Sequence, residues 1–222
     1  MCPPLNKPPK ILDRTAAMKT SPDLFNMESL SFDDERHGRA EGGFLAHVLR
    51  HSNRRHKYFY FRTAIELRAI AEKFGRSNYR YLHLSCHADV EGISTTLDSL
   101  SYQELAEALR PYLRGKRVFF SACGAANQQS ADALMTATGC LSVMGPSEDI
   151  RFDDNAIVWA SFYHRIFRLP DNETEEHVVA MKRQQLIDTA SRLAQFYHVP
   201  FRFFYRDNFG RVQSRVFSKR VL

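Results

Sequence analysis

Short apolar runs of strand length alternate along the chain with longer stretches whose apolar residues recur at helical spacing. Residues 24–32 (LFNMESLSF) read as a first strand, followed by a polar turn over 33–38. Residues 39–51 carry Phe44, Leu45, Val48 and Leu49 at helical spacing, and 57–61 is aromatic and strand-like. The clearest local signal comes next. Thr63 and Glu66 have the spacing of a capping box, Ala64, Leu67, Ile70, Ala71 and Phe74 form one apolar stripe, and Gly75 supplies a stop, which predicts a helix over 64–74. It delivers the chain to a strand over 79–86, after which 94–99 reads as polar loop. A second capping box, Ser101 with Glu104, opens a helix bearing Leu105, Ala108 and Leu109 that ends near Pro111. A strand over 117–122, an Ala-rich helix over 127–138 and a strand over 140–145 ended by Pro146 follow.

Beyond them, Asp153 reads as the cap of a helix over 154–167 whose Ile157, Val158, Phe162 and Ile166 face a core. A longer helix over 173–196 has Val179, Leu186, Ala190 and Leu193 on one stripe. Finally 201–206 and 211–217 flank Asp207, Asn208, Phe209 and Gly210 in the pattern of a β-hairpin. This alternation predicts an α/β fold with a mostly parallel, buried central sheet. With 222 residues and 44% hydrophobic positions the chain suits one domain. Residues 1–20, with Pro3, Pro4, Pro8 and Pro9, form a loose arm, 21–170 the core, and 171–222 a helix and hairpin that complete it.

Composition narrows the function classes. A net charge of +6 permits an acidic partner without requiring one, so nucleic-acid binding stands as a lesser alternative and solvated surface as the first reading of Arg50, Arg54, Arg55 and Lys57. Cys2, Cys86, Cys123 and Cys140 form no CxxC pair, and no secretory core or run of roughly 20 apolar residues is present, so the expectation is a reduced, cytoplasmic protein without membrane insertion.

The candidate chemistry lies at two strand ends. His87 stands near the end of the run YLHLSCHAD and Cys123 near the end of VFFSACG, and open α/β sheets place their sites where parallel strands end. A thiol acts as a nucleophile only as thiolate, and an adjacent imidazole takes its proton, so the pair is the minimum for covalent catalysis. Either residue alone reads better as core; together, in this context, they point to catalysis. Cys86 and His83 lie within their strand and read as core. His47 and His51 stand four apart on a helix without a carboxylate partner and read as a solvated face, so no metal site and no cofactor are expected.

The succession YLHLSCHAD, a capped helix, VFFSACG, LSVMGPSED and SFYHRIF resembles the caspase-like cysteine peptidases, with the CHAT branch nearest, over about residues 36–168. The resemblance implies a three-layer sandwich with adjacent His and Cys strands, His87 as base, Cys123 as nucleophile, and an oxyanion hole from the backbone N–H groups of Ala88 and Cys123. Where the family has Gly after the catalytic His this chain has Ala88, which would be strained if a positive φ were needed there. The resemblance also places a substrate pocket near Arg36, Ser121, Glu148 and Asp149. Arg36 would favour an acidic side chain, and the two acids a basic one. The reading that results is a cysteine endopeptidase acting on protein or peptide substrates as one uncut chain, controlled by a regulatory protein partner in trans. A catalytically silent interaction module of the same fold is the alternative.

Overall fold

The computed structural model describes residues 20–168 and 181–217; most of the expected N-terminal arm, and the part of the 173–196 helix that includes Val179, lie outside them. Strand β1 (Ser21–Glu28) is followed by helices α1 (Phe32–Arg36) and α2 (Glu41–His51) and strand β2 (His56–Tyr60). Next come α3 (Ala64–Arg76), β3 (Tyr79–Ser85), three short strands β4 (His87–Ala88), β5 (Gly92–Ser94) and β6 (Ser99–Ser101), and α4 (Tyr102–Leu109). Strand β7 (Arg117–Ser121) leads to α5 (Gln128–Ala131), which continues into a π-helical turn over Asp132–Thr136, and then to β8 (Ser142–Pro146). The described part closes with α6 (Phe152–Ile166), α7 (Arg183–Tyr197), β9 (Phe201–Arg206) and β10 (Val212–Phe217).

Seven strands form one sheet in the order β10-β9-β8-β7-β3-β1-β2, parallel from β2 to β8, with β9 and β10 added antiparallel as the hairpin. The central strands alternate their side chains between two cores. Leu82, Leu84, Val118 and Phe120 pack with Leu67 and Phe74 of α3 and Leu105 of α4 on one face. Tyr81, Phe119 and Met144 pack with Leu45 of α2, Trp159 and Tyr163 of α6 and Leu186 of α7 on the other. The result is the three-layer sandwich expected from the alternation of strands and helices. From β1 the chain turns out to the β2 edge, whereas from β3 it proceeds to β7 on the opposite side, so the C-terminal ends of β1 and β3 flank a topological switch point.

Both capping boxes form, on Thr63 with Glu66 and Ser101 with Glu104. Several local expectations are corrected. The polar turn at 33–38 is in part helix α1, because Ser31 caps it by accepting from the Asp34 N–H and three acids fill its first turn, where the helix dipole favours them. Gly75 does not stop α3 but lies inside it, packed so close to the Tyr112 ring that a Cβ would stand 2.3 Å from a ring carbon. The stretch 94–99 is shortened by the strands at either end of it, which pair with each other and with β4 in a small antiparallel sheet. Helix α6 begins two residues earlier than expected: Arg151 precedes it without a side-chain cap, and Asp153 pairs with Arg151 at 3.0 Å instead of capping. On the same helices Phe44 and Ile157 face solvent, because Leu45, Ala46, Val158 and Trp159 occupy the core-facing stripe.

Candidate active site

A cavity of about 140 Å³ opens at the switch point, lined by the ends of β3 and β7 and by the segments that follow β1, β3, β7 and β8. His87 and Cys123 both face it, because parallel neighbours β3 and β7 run in register to Ser85 and Ser121 and each chain leaves its strand there. Among the described residues the two do not hydrogen-bond to each other. The Cys123 thiol donates instead to the Ile150 carbonyl at 3.6 Å. Such looseness is common in unliganded sites, where catalytic hydrogen bonds tighten only with substrate.

Asp34 is the partner that the sequence pattern missed. Its carboxylate is 4% exposed and accepts from His87 Nε2 at 2.6 Å, from the Ser31 hydroxyl at 2.5 Å and from Arg39 Nη1 at 2.9 Å. Burial alone would raise the Asp34 pKa, but the hydrogen bonds from Ser31, His87 and Arg39 outweigh it and hold the acid well below the usual carboxylate range. An ionised carboxylate only accepts, so the His87 proton sits on Nε2. Nδ1 bonds to nothing among the described residues. The local signal for α1 was present, since Ser31 stands three residues before Asp34, but nothing local pairs Asp34 with a histidine 53 residues on.

The backbone N–H groups of Ala88 and Cys123 are both free of backbone acceptors among the described residues. Asp89 N–H donates to the Gly92 carbonyl at 3.1 Å, and in an antiparallel ladder hydrogen-bonded pairs alternate with open ones. Ala88 opposite Ile93 is therefore an open pair, and its N–H points off the ladder. Ala88 is extended, and among the described residues the positive-φ ones other than glycine are Asn53, Asn78 and His198, so alanine meets no backbone strain there. The N–H of Cys123 has no acceptor among the described residues, while that of Gly124 is taken by the Glu148 carbonyl at 3.0 Å.

The pocket residues fall differently from expectation. Arg36 turns to solvent and pairs with Asp33 at 2.5 Å, on the opposite side of α1 from Asp34, so it is not part of the lining. Glu148 and Asp149 are exposed on the loop after β8, and Ile150, Phe152 and Asn155 line the cavity in their place. Ser121 does line it, but its hydroxyl is spent on buried Glu41, at 2.6 Å and 2.7 Å from the two carboxylate oxygens. The Ser85 hydroxyl donates to the same group at 3.2 Å. Glu41 is the first residue of α2. Its neighbour Gly42 lets the helix end dock on β1 and β2, since a Cβ there would stand 2.5 Å from a Tyr58 ring carbon, and the Gly42 N–H donates to buried Glu28 at 2.7 Å. His83 is core as expected, stacked edge-on with Trp159 and hydrogen-bonded to the Tyr163 hydroxyl at 3.0 Å. Burial pushes the Cys86 thiol far up and the Cys140 thiol to about 11, so neither forms thiolate near neutrality.

No family model matches the chain, and no curated protein matches it in sequence. Solved structures do match it in shape. A secreted C11 cysteine protease from Bacteroides thetaiotaomicron, in complex with an irreversible peptide inhibitor, superposes with a TM-score of 0.54 at 7% identity, over 83% of this chain and 66% of that one. The Arg-specific cysteine proteinase gingipain R superposes with a TM-score of 0.51 at 12% identity, over 77% of this chain and 41% of that one. The chain thus spans 66% and 41% of these two proteins' lengths. At such identities the likeness is one of architecture, and it shows that the chain has the caspase-like fold of these cysteine proteases.

Proposed function

We propose that the protein is a cysteine endopeptidase of the CHAT-like branch in which Cys123 is the nucleophile, His87 the base and Asp34 the group that orients the base. The observation that carries this reading is the Asp34 carboxylate, 2.6 Å from His87 Nε2, which leaves Nδ1 as acceptor in the cavity that also holds Cys123. The thiol proton passes to His87 Nδ1, and the thiolate sulfur attacks the peptide carbonyl. Negative charge develops on the carbonyl oxygen, where the N–H groups of Ala88 and Cys123 receive it. The Nδ1 proton goes to the leaving amine as the C–N bond breaks, giving a thioester, and water activated by the same nitrogen hydrolyses it. The chemistry named for both matched proteins supports the same reaction class. Control by a regulatory protein in trans belongs to this reading, because helix fills the space between Cys123 and β8 where a maturation cut would fall.

The test compares the wild type with Cys123→Ala by profiling new peptide termini in a proteome digest, with alkylation mapped in parallel. Cleavages present with the wild type and lost in the variant are expected, together with alkylation near neutral pH that selects Cys123 over Cys86 and Cys140. Identical termini from both proteins, with all three thiols labelled alike, would overturn the proposal.

A further inference from the structure

Glu41 is a carboxylate at the floor of the cavity, 2% exposed, and no lysine or arginine pairs with it among the described residues. Its neighbours are the two serine hydroxyls and His83, whose Nε2 stands 3.5 Å away and is itself without a hydrogen-bond partner. Carboxylates are almost never fully buried unless a cation or a full set of donors compensates them. Across the same cavity Asn155 is 5% exposed, and its Oδ1 accepts nothing. Two acceptors, one of them a carboxylate, thus face one space beside the proposed nucleophile. The cation that also lines this space, Arg39, is already held by Asp34 at 2.9 Å and its side chain is half exposed.

Resting on the peptidase reading, we propose that Glu41 and Asn155 form the pocket for the side chain immediately before the scissile bond, and that this side chain is cationic, lysine or arginine. An ammonium or guanidinium supplies donors to both groups and the charge that Glu41 lacks, whereas an acidic side chain would be placed against Glu41. Ser85 and Ser121 then have a definite task. They fix the carboxylate to the ends of β3 and β7, the strands that deliver His87 and Cys123, so that pocket and nucleophile share one frame.

The experiment uses four peptidyl acyloxymethyl ketones that differ only in the residue next to the warhead, arginine, lysine, norleucine or aspartate. The rate of covalent attachment at Cys123 is followed by intact mass for the wild type, Glu41→Gln and Asn155→Leu, each first shown to be folded by thermal melting. The wild type is expected to react fastest with the arginine and lysine probes. Glu41→Gln should lose about 10- to 100-fold of that rate, the range of a charge-assisted hydrogen bond, with norleucine labelling little changed. Asn155→Leu should lose arginine and lysine labelling selectively but less, and it decides the matter if Glu41→Gln fails to fold. Wild-type labelling led by norleucine or aspartate, or arginine labelling that survives both substitutions, overturns the pocket while leaving Cys123 as a nucleophile. Attachment of none of the four probes overturns the pocket and the peptidase reading together.

Discussion

Replacing Asp34 by asparagine separates orientation of the base from the rest of the site. The carboxylate accepts from His87 at 2.6 Å, and its other contacts, from Ser31 and Arg39, keep it in place and ionised. A hydrogen bond to a charged group contributes about 1.5–3 kcal/mol net, which corresponds to roughly 10- to 150-fold in rate if it acts only in the transition state. The His87 side chain is 54% exposed, so solvent screening puts the expected loss toward the lower end, roughly tenfold. An amide also offers an N–H where the carboxylate offered only acceptors, so part of the population will hold the imidazole in the wrong tautomer. The assay is steady-state cleavage of a peptide identified by the terminus profiling, with the alkylation rate of Cys123 measured in parallel. The expected result for Asp34→Asn is a fall in kcat with KM little changed, together with slower alkylation, in a protein whose melting temperature stays near that of the wild type. A folded variant with wild-type kcat and wild-type alkylation would refute the orienting role.

Two further outcomes are expected. Glu28 is fully buried, and burial, the largest influence on it, lifts its pKa to about 7 despite hydrogen bonds from the Gly42 N–H and the Tyr58 hydroxyl. A carboxyl raised in this way adds stability at pH values below its ordinary pKa of 4.5 and loses it as pH rises through about 7; denaturant titrations from pH 4.5 to pH 8 should show up to about 3 kcal/mol of decline that Glu28→Gln removes, and parallel curves for both proteins would contradict it. The active form should be one uncut chain, because α5 and its π-helical continuation leave no extended segment between Cys123 and β8 for a protease to grip; intact mass decides, and activity that appears only with a cut between residues 127 and 141 would contradict it.

Features of the fold that depend on neighbours in sequence were legible. The capping boxes at Thr63 and Ser101 involve groups three residues apart, and the buried strands at 79–86 and 117–122 announce themselves as apolar runs too short for helices. His87 and Cys123 could be singled out because a reactive side chain at the end of such a run already has a definite location in an α/β sheet. Their supporting groups were not legible. Asp34 meets His87 across 53 residues and Glu41 meets Ser121 across 80, and each acid sits in a stretch whose polarity alone reads as surface. The same limit misplaced Arg36, since two residues along α1 separate a buried acid from an exposed arginine. The resemblance places Glu148 and Asp149 at the pocket because the family builds part of its wall from the segment after this strand, but sequence does not say which side chains of that segment turn inward. Here Ile150 and Asn155 line the cavity.

The division of labour that results has a physical logic. The proposed base and nucleophile, His87 and Cys123, follow directly on the ends of β3 and β7 in the middle of the sheet, where both cores hold the strands. The acids around them, Glu28, Asp34 and Glu41, all belong to β1 and the excursion that follows it. Glu28 accepts the first free N–H of α2 and so fixes the end of the helix that presents Glu41, while Ser31 and Arg39 hold the five-residue α1 against His87 through Asp34. A helix that short has too few internal hydrogen bonds to persist alone, and its order depends on these polar contacts more than on apolar burial. Loosening α1 would therefore release His87 from its orienting partner without disturbing the strands that carry His87 and Cys123. On the proposed mechanism, the local stability of the segment from Ser31 to Arg39, rather than the stability of the sheet, is expected to set how much of the folded protein holds His87 against Asp34.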